Sequence, residues 1–198
     1  GGGQIGVFPG HAAVIPRLDA ILDTVPAPEG GRRALNLFAH TGLVTLGLAA
    51  RNDVAVTAHV DAAPAAVSRA RENASLSELS HAPVRWLVDD VMTFLARETR
   101  RGNTYDVIVA DPPAFGRLTG GGEWKLARDL PDLLAAADAL LPDRGGVFAL
   151  TCHSEGVDDS WLVGTMRRTM ERIATFETMP LRLVAGNGGN ALQAGFLI

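Results

Sequence analysis

Several side chains that could do chemistry close short apolar runs. They are Asp61, the pair Asp89-Asp90, Asp111 before Pro112-Pro113, and Cys152, the chain's single cysteine. Asp61 lies roughly 20 residues beyond Phe38, a spacing at which an acidic strand tip accepts hydrogen bonds from both hydroxyls of a ribose. The plainer alternative is that it only caps a helix beginning at Ala62, and both roles are compatible. The adjacent carboxylates of Asp89 and Asp90 diverge, so one pocket takes only one of them. Asp90, followed by apolar Val91, is the better contact for the adenine side of a nucleotide-like ligand, and Asp89 is an N-cap or a solvated charge. In Asp111-Pro112-Pro113-Ala114-Phe115-Gly116 two proline rings fix two φ angles and remove two donors. Such a rigid, polar-tipped turn suits the holding of a reacting group. Its plain alternative is an ordinary loop. Cys152, in Thr151-Cys152-His153-Ser154, reads either as a small buried hydrophobe or as a nucleophile. A thiolate added to C6 of a pyrimidine makes C5 able to accept a methyl group. His153 is a candidate base or a polar cap. His11, His40, His59 and His81 show no metal-ligand spacing.

These residues need a scaffold that brings strand ends together. Short apolar runs alternate with helical patterns, which predicts βαβ units and a parallel sheet. The strands are expected at Ala34–Phe38, Val54–Val60, Val84–Val88, Tyr105–Ala110 and Gly146–Thr151. Several are apolar throughout, as strands covered by helices on both faces are. Helices are expected at about Ala12–Val25, then Thr41–Arg51, Ala63–Leu79, Val91–Arg100, Asp129–Leu141 and Ser160–Ala174. Two further strands, near Phe176–Val184 and Ala191–Ile198, flank the glycine-rich Gly186–Asn190 and suggest a hairpin. In open α/β sheets ligands bind beyond the carboxyl ends of strands. The turn Phe38-Ala39-His40-Thr41-Gly42 would face that crevice, with Ala39 and Gly42 small enough for close approach. No Gly-x-Gly-x-x-Gly follows the first strand, which weakens a dinucleotide reading. The run Gly120–Lys125 reads as a loop able to cover a substrate.

Composition narrows the class. The chain has 198 residues, 47% apolar and 20% charged, with a net charge of −4. That fits one globular domain and excludes a disordered polyelectrolyte or a chain that grips nucleic acid by bulk basicity. One cysteine excludes a disulfide framework. The longest apolar run, Leu43–Ala50, is too short for a bilayer. No membrane partner and a cytoplasmic location are therefore expected, and the sequence carries nothing on oligomeric state. Arg97, Arg100 and Arg101, and Arg167, Arg168 and Arg172, read as solvated helix faces unless they share the crevice side. The chain opens on Gly1-Gly2-Gly3 without a methionine, which leaves room for an upstream RNA-binding domain.

Taken in order, these stretches resemble a known family. Gly6-Val7-Phe8-Pro9 with Leu35-Asn36-Leu37-Phe38-Ala39-His40-Thr41-Gly42 is similar to the cofactor region of the bacterial 23S ribosomal RNA large-subunit methyltransferases, which include cytosine-C5 and guanine-N2 enzymes. Val60-Asp61, Ala70-Arg71-Glu72-Asn73, Asp89-Asp90-Val91, Tyr105-Asp106-Val107-Ile108 and Asp111-Pro112-Pro113-Ala114-Phe115 continue the likeness over most of the chain. The resemblance implies the α/β, Rossmann-like class I fold: seven strands, mostly parallel with the last antiparallel, and helices on both faces. Residues 1–32 would form a cofactor-covering segment and helix, and residues 33–198 the methyltransferase domain. The cofactor would be S-adenosyl-L-methionine. Phe38, Ala39, Thr41 and Gly42 would line its methionine side, Asp61 the ribose and Asp90 the adenine, with Phe8 in a closing segment. Asp111 and Pro112 would border the transfer site, and Cys152 would be the nucleophile if cytosine C5 is the target. Ribosomal RNA is the implied substrate, with a small molecule, a protein side chain or a non-catalytic cofactor-binding module as alternatives.

Overall fold

A computed structural model describes residues 13–117, 122–153, 157–183 and 192–198. In chain order the elements are α1 (Val14–Leu22), β1 (Arg32–Leu37), α2 (Leu43–Ala49), β2 (Val54–Asp61), α3 (Pro64–Leu76), β3 (Val84–Val88), α4 (Val91–Arg100), β4 (Val107–Ala110), β5 (Phe115–Arg117), β6 (Glu123–Lys125), α5 (Leu126–Asp138), β7 (Val147–Cys152), α6 (Asp159–Thr169), β8 (Met179–Leu183) and β9 (Leu192–Leu197). Five strands run parallel in the order β3-β2-β1-β4-β7. β8 and β9 form an antiparallel pair, and β9 adjoins β7 through Thr151↔Leu197 and Cys152↔Phe196.

Strand alternation sorts the apolar side chains onto two faces. Leu35, Leu37, Ile108, Ala110, Phe148, Leu150 and Cys152 pack with Phe94, Leu95, Leu130, Leu134, Leu162 and Met166 from α4, α5 and α6. Ala34, Val107, Val109 and Ala149 turn the other way, toward Val14, Leu18, Leu22, Val44 and Leu48 of α1 and α2. The two-faced apolar strands thus reflect helices on both sides, as the sequence predicts. Full burial of each such Leu or Phe contributes about 1.5–3 kcal/mol.

α1 is part of this body. Arg51 reaches Asp19 at 2.7 Å and Asp23 at 2.8 Å, and also pairs with Asp53 at 2.8 Å. Arg32, 3% exposed, donates to the Leu22 carbonyl at 2.9 Å and pairs with Asp53 at 3.0 Å.

Most element boundaries shift by a few residues from expectation, and three differences have a clear cause. β4 starts at Val107, not Tyr105, because the Tyr105 N–H bonds the Leu140 carbonyl outside the ladder. The Tyr105 hydroxyl donates to buried Glu98 at 2.7 Å. α6 ends at Thr169, not near Ala174, because the Asp138 carboxylate accepts the Glu171 and Arg172 backbone N–H groups, each at 3.1 Å. The expected loop Gly120–Lys125 contains β6, which pairs with β5 as a hairpin.

Candidate active site

The loop after β1 is bent tightly against the sheet ends. Phe38, His40 and Gly42 have φ of 54°, 46° and 88°. The first two are not glycine, and each left-handed residue of that kind costs about 1–2 kcal/mol. Strain of this sort concentrates where a loop must hold a particular shape, and here four bonds hold it. The Ala39 N–H meets the Val60 carbonyl at 3.1 Å, and Gly42 N–H meets that of Ala39 at 3.0 Å. His40 N–H donates to Asp61 Oδ2 at 2.8 Å. Asn73 Nδ2, from α3, donates to the Thr41 carbonyl at 2.9 Å. Gly42 is the one position here where a side chain has no room: a Cβ would lie 2.9 Å from that of Ala70. The Ala66, Ala70, Ala74 spacing on α3 is the sequence signal for that close approach, and Asn73 lies on the same helix.

Asp61 joins two loops. Its second oxygen accepts the Ala63 N–H at 2.8 Å, at the start of α3. Asp90 is the N-cap of α4, accepting the Thr93 N–H at 2.9 Å, and is 8% exposed. The cap is therefore Asp90, not Asp89. Asp89 pairs with Arg97 at 2.6 Å and is not a free solvated charge.

The turn after β4 is held at both ends. Thr151 Oγ1, on β7, donates to Asp111 Oδ1 at 2.5 Å, and His153 Nε2 lies 3.5 Å from the same oxygen. Leu126 N–H bonds the Ala114 carbonyl at 3.0 Å. Trp124, 2% exposed, donates its indole N–H to the Pro113 carbonyl at 2.7 Å, and its ring lies 5.6 Å from that of Phe38. Pro112 is buried, and Phe115 is 71% exposed on the hairpin. Asn36, Phe38, Ala39, His40, Thr41, Gly42, Asp111 and Thr151 line one crevice, so the fold brings the first loop and the Asp111 turn together.

Behind the loop lies a buried polar chain whose members no sequence pattern groups together. Asn36 Nδ2 donates to Thr45 Oγ1 at 2.9 Å, and Thr45 Oγ1 is 2.8 Å from His59 Nδ1. Burial, with the charges of Arg71 and His40, pushes the His59 pKa down to about 4, so the imidazole is neutral.

Cys152 does not join the crevice. It is 2% exposed and packs in the apolar cluster on the α4–α6 face. Thr151, one residue earlier, faces the crevice, and strand alternation sends the next side chain the opposite way. A thiol packed among apolar side chains is out of reach of a substrate in the crevice, so this geometry supports the small-hydrophobe reading. Phe8 lies outside the described residues. A larger cavity of about 570 Å³ opens at the start of β7, between α1 and residues 172–179, away from the Asp111 turn.

With that geometry in place, comparison with known proteins decides the family. The family model for S-adenosylmethionine-dependent methyltransferases matches residues 22–178. The chain belongs to that family. Its cofactor is S-adenosylmethionine, and the matched span holds the first loop, Asp61, Asp90 and the Asp111 turn. The methyltransferase is similar to the SAM-dependent methyltransferase structure from Agrobacterium tumefaciens, with a TM-score of 0.86 and 35% identity, covering 98% of this chain and 62% of that one. SMU.776 in complex with SAH superposes with a TM-score of 0.70 at 19% identity, over 97% of this chain and 50% of that one, which shows the shared fold. Ribosomal RNA large subunit methyltransferase I of Shewanella frigidimarina is 38% identical over 127 residues, 62% of this chain and 30% of that protein. Ribosomal RNA large subunit methyltransferase K/L of Alteromonas mediterranea is 31% identical over 192 residues, 90% of this chain and 27% of that protein. This methyltransferase chain thus spans about 30% of the length of the curated relatives it matches. Among its described residues, no helix is long and apolar enough to cross a membrane, and no group of three His, Cys, Asp or Glu could hold a metal ion.

Proposed function

We propose that this chain transfers the methyl group of S-adenosylmethionine to a base of ribosomal RNA, at an exocyclic amine. One observation carries the reading. The Asp111-Pro112-Pro113 turn is clamped by Thr151 and Trp124, and Asp111 and Thr151 line one crevice with the Phe38–Gly42 loop. The names of the large-subunit relatives support RNA as the substrate class.

The residues present fit the cofactor. The Phe38–Gly42 loop with Ala39, Thr41 and Gly42 offers small side chains and a shape held at a cost in strain. Asp61 is a carboxylate whose orientation is fixed by two backbone donors, suited to the ribose hydroxyls. Asp90, fixed as the α4 cap, marks the adenine side. When bound, the cofactor supplies a methyl group on a sulfonium, which is a strong electrophile. The protein's share is alignment, which can supply a large part of the barrier reduction. Asp111 and the Pro112 carbonyl accept hydrogen bonds from the amine and aim its lone pair. The target base leaves its stack to reach them. The buried Cys152 favours the amine over a cysteine-dependent attack at cytosine C5.

Three finer readings go with this one. β8 and β9 complete a seven-stranded sheet with β9 antiparallel. Residues 1–32 comprise a cofactor-covering segment that includes Phe8, followed by the helix α1. The reaction takes place in the cytoplasm, where ribosomal RNA is made in bacteria. The test is transfer of labelled methyl from S-adenosylmethionine to ribosomal RNA, protein extract and a metabolite pool in parallel. Label in RNA, as an N-methylated base on digestion, is expected. Label confined to protein or metabolites overturns the RNA reading, and a C5-methylated cytosine overturns the amine.

A further inference from the structure

We infer that Trp124 is a positioning residue that couples the cofactor loop to the transfer turn. This rests on the reading that the Asp111 turn borders the transfer site. The physics begins with the prolines. Their rings fix φ at 112 and 113, and Pro113 confines Pro112 to extended ψ, but ψ at Pro113 stays free and neither residue has an N–H to tie the turn from within. The turn therefore takes its shape from outside bonds. Thr151 holds Asp111, and the Leu126 N–H holds the Ala114 carbonyl. Between them only Trp124 among the described residues reaches a proline carbonyl, that of Pro113, at 2.7 Å. That bond fixes ψ at Pro113. It also occupies one lone pair of the Pro113 carbonyl with a protein donor.

The same side chain has a second contact. Its ring lies 5.6 Å from that of Phe38 at a tilt of 49°, a favourable aromatic geometry. Phe38 is the left-handed first residue of the cofactor loop, with φ of 54°. One buried indole thus touches both the loop and the turn, with its edge on Pro113 and its ring against Phe38. The short hairpin of β5 and β6 serves this arrangement. Trp124 sits opposite Gly116 in its register.

Trp124→Phe keeps a ring against Phe38 and deletes the N–H. Its kcat should fall at least tenfold, while its S-adenosylmethionine Kd by calorimetry stays within twofold. Trp124→Leu, which deletes both contacts, should lose kcat and also weaken the cofactor by at least fivefold. A merely structural tryptophan would lower the melting temperature and leave the kcat of the surviving folded protein unchanged. Unchanged kcat in Trp124→Phe, or cofactor affinity lost in step with kcat, overturns the proposal.

A second measurement needs no turnover. Protein labelled with ¹⁵N-tryptophan gives indole signals from Trp86, Trp124 and Trp161, the chain's three tryptophans. The Trp124 signal is assigned by its absence in Trp124→Phe, or by elimination with Trp86→Phe and Trp161→Phe. It should exchange slowly with deuterium and shift on addition of S-adenosylmethionine. An indole that exchanges like an exposed one, or ignores the cofactor, overturns the coupling. This arm decides the proposal even where the RNA assay shows no transfer.

Discussion

The Asp61 carboxylate accepts the His40 N–H at 2.8 Å, so the tip of β2 fixes the loop that leaves β1. Its other oxygen holds Ala63 at the start of α3. Asp61→Ala leaves two backbone donors without this partner and removes the proposed ribose acceptor. Stability should fall by about 1–2 kcal/mol, and S-adenosylmethionine affinity by tenfold or more in calorimetry. Cofactor binding equal to wild type would exclude Asp61 from the ribose site.

Gly42→Ala meets two obstacles. The residue has φ of 88°, and the new Cβ would lie 2.9 Å from that of Ala70. A loss of about 2 kcal/mol is expected in chemical denaturation, with weaker cofactor binding. Adding Ala70→Gly should restore only the part due to contact. An unchanged denaturation midpoint in the single variant would show that the loop relaxes freely.

Cys152→Ala should retain methyl transfer within a few-fold of wild type. The thiol is buried among apolar groups, so its removal should cost about 1 kcal/mol of stability through the cavity left behind. In the folded protein the thiol should also resist maleimide. Complete loss of turnover with the fold intact would restore the nucleophile.

His59 gives a pH dependence with a definite sign. Its pKa is lowered from 6.5 to about 4 in the folded protein. The unfolded chain therefore binds its proton first, and stability falls as pH drops from 6.5 toward 4. Above pH 6.5 this group contributes no slope. Asp53, held at about 2 mainly by its hydrogen bond to Arg51, acts in the same direction but at lower pH. His59→Leu should flatten the stability curve between pH 4 and 6.5 in urea titrations. A slope that survives in this variant must come from other groups.

Much of the fold was legible because the chain writes its sheet in apolar runs. β3 and α4 fall on the expected residues, and other elements differ by a few positions. The misses have physical causes. β5 and β6 have three residues each, too few for a period of two to show. Trp124 consequently looked like part of a loop, although it is core. α6 ends early because Asp138, 33 residues away from Glu171, captures the backbone, and no local pattern contains that. The site was legible as positions but less so as directions. The run from Val147 to Cys152 is largely apolar on both faces, so alternation alone could not say whether Thr151 or Cys152 meets the crevice. Asp90 shows the same limit: its place was clear from the sequence, and its capping role required the backbone of Thr93.

The Arg51 and Arg32 contacts to α1 bear on any attempt to trim this protein. A chain cut after residue 24 would keep the whole parallel sheet and the Asp111 turn. It would also uncover Val44, Leu48 and Val107, which now pack with Val14, Leu18 and Leu22. Arg51 would lose Asp19 and Asp23, leaving one carboxylate, Asp53, between two guanidinium groups. Such a fragment would present an oily seam beside unbalanced positive charge, a recipe for sticking to its neighbours. A fragment that keeps this packing intact therefore begins at or before Val14.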